Sequence, residues 1–230
     1  MSLKKGIIAF ILTLLLMPLC ARLFIVSALD YKTFDDCYMI GGVGQSGNHP
    51  RNYWVDASSG PMGLNATWRQ RAVNAVYDWN HTGSAGCGVY TSVWFQQTTH
   101  QHISVLDFHR DDDLGNGFYG FTDLYLTSGE QSPMNINNPS NWVWGKCRIN
   151  VYYCNNGRSI DGNNEDRSLP TPAKKRAIFE HEMGHIMGLD DLLEEYSNKL
   201  MAKFQFHCTA TKPTTCECSG INHLYGGYNP

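Results

Sequence analysis

Across residues 66–79, apolar side chains return at three- and four-residue steps. Trp68, Ala72, Val76 and Trp79 form the stripe, joined by Val73 and Ala75, which predicts an amphipathic helix facing a core. A second helical stretch opens at Pro170-Thr171-Pro172 and runs to about Met187, with Ala177, Ile178, His181, Met183, His185 and Ile186 among good helix formers. Thr171 suits its N-cap and Pro172 its first turn, and Gly188 can stop it because glycine has no Cβ to resist positive φ. Between the helices lie β-rich runs at residues 89–95, 102–108, 120–127 and 147–153, with a shorter one near residues 53–56. Residues 111–117 and 128–141 are dense in turn formers. The order is helix, strands, helix and a cysteine-bearing tail, which predicts an α+β fold. With no repeat and no long linker, about 200 residues fit one domain.

The first 28 residues stand apart. Lys4 and Lys5 precede an apolar run over residues 6–19, and Val26-Ser27-Ala28 offers small side chains at a cleavage position, so residues 1–28 are expected to be a secretory signal. Pro18 and Arg22 break the stretch that an uncleaved anchor would need to cross hydrocarbon. Cleavage removes Lys4, Lys5 and Arg22 but no acid, taking the formal charge from −3 to −6. The expectation is therefore a secreted, extracellular, mildly acidic monomer comprising residues 29–230. No stable membrane association follows cleavage, and no basic run gives a reason to expect nucleic-acid binding. Cys37, Cys87, Cys147, Cys154, Cys208, Cys216 and Cys218 remain, enough for three disulfides in an oxidising compartment, with a connectivity that spacing alone leaves open. Asn65-Ala66-Thr67 and Asn80-His81-Thr82 are glycosylation sequons, which matter if the host glycosylates.

Chemistry concentrates on the second helix, in His181-Glu182-Met183-Gly184-His185. Residues four apart share a helix face, so His181 and His185 can direct imidazole nitrogens at one Zn²⁺. Glu182 lies beside the metal without ligating it, placed to accept a proton from a water and pass it to a departing amine. Three fixed residues at this spacing arise by chance in roughly one such chain in a few hundred, so the pentapeptide alone is modest support. Gly188 and Asp191 follow at three-residue steps, letting the chain turn and return a carboxylate to the metal, and Met201 comes ten residues later.

This combination, His181-Glu182-x-x-His185-x-x-Gly188-x-x-Asp191 with a downstream methionine, resembles the metzincin clan of zinc endopeptidases. Asp191 stands where most of the clan has a third histidine, as in the snapalysin-like branch of small secreted neutral proteases. The motif match covers about twenty residues, 181–201, and residues 205–230 have no counterpart. The resemblance implies a zincin-like α+β fold: a mixed, twisted sheet of four to five strands packed on two long helices. It also implies Zn²⁺ held by His181, His185 and Asp191, Glu182 as general base, and Met201 in a turn beneath the site. The partner it implies is a protein or peptide substrate, lying extended along an edge strand at residues 117–126, with apolar or aromatic P1′ side chains preferred. A zinc-binding but non-proteolytic secreted adhesin or toxin-like module is the alternative; a binding module has no need of Glu182.

Competing assignments are fewer. Asp190 is a rival ligand that breaks the spacing. Loop 111–117 has the oxygen-rich, Gly-bent character that suits Ca²⁺ but lacks EF-hand spacing, so a solvated turn is preferred over a Ca²⁺ site. His100, His102 and His109 are a weaker candidate for a second, structural metal site, Tyr196 for oxyanion binding, and Cys37 for a thiolate latch; surface, packing and disulfide roles are the defaults.

Overall fold

The computed structural model describes residues 31–45, 49–112, 118–127, 132–156, 169–193, 196–203 and 208–227. The expected signal, residues 1–28, lies outside them, as does most of the acidic loop. Five strands form one mixed sheet: β1 (Arg51–Val55), β2 (Phe95–Gln97), β3 (Leu106–Arg110), β4 (Gly120–Tyr125) and β5 (Trp144–Ile149), in the spatial order β2-β1-β3-β5-β4. All neighbours are parallel except β4, which runs antiparallel to β5 and forms one edge of the sheet. Four helices accompany them among the described residues: α1 (Ala66–Asn80), α2 (Val151–Asn156), α3 (Pro172–Ile186) and α4 (Thr215–Tyr225). The α+β class and the two long helices therefore match expectation. No described helix is long and apolar enough to cross a membrane.

Helix α1 forms where its periodicity places it. The Asn65 side chain caps it by accepting from the Trp68 amide, and Trp68, Ala72, Ala75, Val76 and Trp79 are buried. Helix α3 packs against α1 and against the sheet. Phe179 sits between Trp68 and Phe108, and the Trp79 indole donates to the Glu180 carbonyl at 2.9 Å. At the other end of α3 the Trp142 indole donates to the Ile186 carbonyl at 2.9 Å. A Cβ on Gly145 would lie 2.7 Å from Ile186, so β5 approaches α3 to a distance that only glycine permits. In β5 every second residue (Gly145, Cys147, Ile149) turns inward, the period that a half-covered strand requires.

Three strand expectations need correction. The run at 147–153 is not one strand. It ends at Ile149 because Asn150 accepts from the Tyr153 amide at 2.8 Å, a side-chain cap that starts α2. The run at 89–95 contributes only its last residue, since β2 is Phe95–Gln97. Residues 91–95 do alternate in burial, but Trp94 bonds to Val43 and Arg51, and Asn80 clamps Phe95 through both its amide nitrogen and its oxygen. Likewise residues 101–103 form a 3-10 turn before β3.

Candidate metal centre

His181 and His185 lie one turn apart on α3, their rings nearly perpendicular with centroids 4.6 Å apart. Each Nδ1 faces a backbone carbonyl: Leu200 O at 2.9 Å for His181 and Leu189 O at 2.8 Å for His185. A carbonyl can only accept, so both rings carry their proton on Nδ1 and present an Nε2 lone pair. Both Nε2 atoms point at Asp191 Oδ1, at 3.3 and 3.6 Å. That oxygen is shielded from solvent, and among the described residues no amide, hydroxyl or ammonium group donates to it. Three lone-pair donors facing one another within 4.8 Å, with no proton between them in the neutral tautomers, repel unless a cation lies among them. The residues therefore fit a metal: the His181, His185 and Asp191 cluster can hold a divalent ion.

The chain reaches this geometry through the bend after α3. Gly188 adopts φ +100°, and a Cβ there would strike Leu224 at 2.6 Å. The returning strand is held from both sides. Phe34 N donates to Gly188 O and Asp190 N to Lys32 O, while Leu192 N donates to Met201 O and Lys203 N to Leu192 O. Asp190, the rival, is occupied: one oxygen takes the Asp191 amide at 2.7 Å and the other pairs with Lys32 at 2.5 Å. Where the imidazoles are instead protonated on Nε2 as well, burial still pushes the Asp191 carboxyl up, but the hydrogen bond from His181 and the charges of His185, His181 and Lys203 outweigh it and hold it at about 2. Burial would lower the His181 imidazole, yet Asp191 and Glu182 raise it.

No protein-family model matches this chain. No curated protein shows significant similarity to it.

Glu182 is buried against the edge strand. Its Oε2 accepts from the Thr122 hydroxyl at 2.8 Å, and that hydroxyl also lies 3.0 Å from the Glu182 carbonyl. A Cβ on Gly120 would come within 2.6 Å of Glu182 Oε1. Met201 is buried beneath α3: a Cβ on Gly184 would fall 2.3 Å from its sulfur, so the glycine between the histidines makes room for it. Its amide donates to the buried Glu217 of α4 at 3.1 Å. Thr122 and Glu217 carry no sequence signal for these roles, because each acts across long sequence separations.

A cavity of about 240 Å³ has Tyr119, Leu169, Lys174, Ile178 and Leu200 in its walls; His181, Glu182, His185 and Asp191 do not line it. Tyr119 precedes Gly120, Ile178 lies one turn before Glu182, and Leu200 is the residue that anchors His181.

The remaining candidates do not join this site. His109 pairs with Asp56 at 3.3 Å and lies 3.9 Å from Asp107, whereas His100 and His102 sit together elsewhere with rings 5.7 Å apart, so the three histidines form no metal cluster. Of the acidic loop, Asp111 pairs with Arg148 and Asp112 with Arg110, and residues 113–117 lie outside the described set, so the Ca²⁺ assignment gains no support. Tyr196 packs against the hydrophobic core. The Cys37 thiol donates to Asp35 O at 3.9 Å, and burial raises it above the ordinary thiol range, which does not favour a thiolate latch.

Proposed function

We propose that the protein is a zinc-dependent endopeptidase, secreted after loss of residues 1–28. The observation that carries this reading is the convergence of His181 Nε2, His185 Nε2 and Asp191 Oδ1, with the Glu182 carboxylate held one residue away along α3. Two nitrogens and a carboxylate suit Zn²⁺ and leave a position open for water or substrate. A zinc ion bound there supplies a Lewis acid that acidifies water and polarises a carbonyl. One carboxylate among the ligands leaves the formal charge at +1, against +2 for three imidazoles, so Asp191 moderates that acidity.

The chain's own groups do the rest. Glu182, fixed by Thr122, takes the proton of the attacking water and returns it to the amine leaving group. Tyr119 O bonds inward to Asn150 N and Tyr125 O to Val143 N, whereas Leu124 O is turned outward to Met134 N. Strand parity therefore turns the backbone N–H and C=O of Gly120 and Thr122 to the outer edge of the sheet, beside Glu182. An extended peptide pairing with that edge gains main-chain hydrogen bonds with little dependence on its sequence. The cavity lined by Leu169, Ile178 and Leu200, in which Ile178 lies one helical turn before Glu182, suits an apolar side chain of such a peptide. Retention of a base locked in place by Thr122 disfavours the non-proteolytic binding module.

The test is hydrolysis of a quenched fluorogenic peptide library by the purified protein. Activity lost to 1,10-phenanthroline and restored by Zn²⁺ is expected, and Glu182→Gln should keep stoichiometric zinc while losing roughly 10²- to 10⁴-fold in kcat. Full turnover in Glu182→Gln would refute the general-base role; absence of bound zinc in the wild type would refute the reading itself.

A further inference from the structure

Away from the metal cluster, two cysteines 131 positions apart meet with their sulfurs 3.1 Å apart. Cys87 lies in the loop after α1 and Cys218 in α4. No periodicity or spacing pairs them; the fold brings them together across that separation. Their environments differ. Cys218 is completely buried, whereas Cys87 is half-buried, within 3.5 Å of the Thr82 carbonyl. We propose that Cys87 and Cys218 close a disulfide by exchange with an external disulfide, clamping α4 to the loop that follows α1.

The difference in burial sets the order of steps. Cys87, the accessible thiol, loses its proton and attacks one sulfur of the external disulfide, and the other sulfur leaves as a thiolate. Cys218 then loses its proton, attacks Cys87 Sγ in the mixed disulfide and expels the second thiolate. Two protein thiols are oxidised, one small-molecule disulfide is reduced to two thiols, and the two protons pass to solvent or to the released thiolates. A hydrogen bond from the Cys218 thiol favours the Cys87 thiolate and lowers it from the ordinary thiol range, which suits Cys87 to the first step.

The clamp bears on the metal centre through the next residue. Glu217 adjoins Cys218 and receives the Met201 amide, and Met201 fills the space under Gly184 between the two histidines. Fixing α4 at Cys218 therefore fixes the floor of the cluster.

The test takes the full chain, fully reduced and desalted, incubates it with oxidised glutathione and reads the linkages by tandem mass spectrometry, a readout independent of any peptidase activity. A Cys87–Cys218 link in most wild-type chains is expected, with the melting midpoint raised by roughly 5–15 °C over the reduced protein. Cys218→Ala should trap Cys87 as its mixed disulfide with glutathione, and Cys87→Ala should leave the buried Cys218 unmodified. Wild-type protein in which Cys87 stays free, stays capped by glutathione or joins Cys208 or Cys216 overturns the proposal, as does a link that leaves the melting midpoint unmoved.

Discussion

Replacing Glu217 with alanine tests how the turn beneath the histidines is held. The carboxylate is 1% exposed. Its Oε1 accepts from the Met201 amide at 3.1 Å, and its Oε2 accepts from the Thr214 amide at 2.8 Å and from the Thr214 hydroxyl, completing the capping box of α4. Met201 is 1% exposed, so its N–H finds no water when the carboxylate goes, a loss of about 1–3 kcal/mol for a buried unsatisfied donor. Thr214 is half-buried and can recover water, so the broken capping box adds nearer 1 kcal/mol. With the cavity left by the side chain, the total is about 3–5 kcal/mol. Glu217→Gln keeps an acceptor for Met201 and should lose about 1–2 kcal/mol. Urea unfolding of zinc-stripped protein separates these losses from metal linkage. A Glu217→Ala change below about 1 kcal/mol would show that Met201 is held by packing alone.

Three further outcomes are expected. Asp191→Ala should weaken zinc retention by at least roughly ten- to a hundredfold, while Asp190→Ala, which removes the partner of Lys32 and the side-chain acceptor of the Asp191 amide but no ligand, should change it severalfold at most; competition with a chromogenic chelator measures both. Gly120→Ala places a methyl group against Glu182 and Ile178, so kcat should fall tenfold or more with zinc content unchanged, and loss of zinc instead would place the clash elsewhere. Burial raises the Asp56 carboxyl, but the Ser58 amide and hydroxyl and the His109 charge together hold it below the ordinary carboxylate range. Its contribution to stability is therefore present above about pH 4 and is lost as the pH falls through its lower folded value. Asp56→Asn should flatten that acid limb in pH-dependent unfolding; an unchanged slope would contradict it.

The parts of the site that were legible in the sequence are the local ones. His181, Glu182 and His185 share a helix whose period fixes their relation, and Gly188 marks the bend that returns the chain. The choice between Asp190 and Asp191 rested on spacing, but the structural reason lies with Lys32, far away in the chain. Thr122 and Glu217 were invisible because their partners are fixed by sheet register and helix docking rather than by neighbouring residues. Two of the strand errors involve single asparagines set against runs of β-prone side chains. Asn150 caps a helix where alternation continued, and Asn80 pins Phe95 where a longer strand was expected.

That clamp also separates two sites that look equivalent as tripeptides. Asn65 is exposed and caps α1 through its side-chain oxygen, not its nitrogen. Asn80 commits its side-chain nitrogen to the Phe95 carbonyl at 2.8 Å in a partly buried setting. In a host that attaches glycans to folded chains, carbohydrate should accumulate on Asn65 and spare Asn80, so one oligosaccharide per molecule is the stoichiometry to look for on a gel.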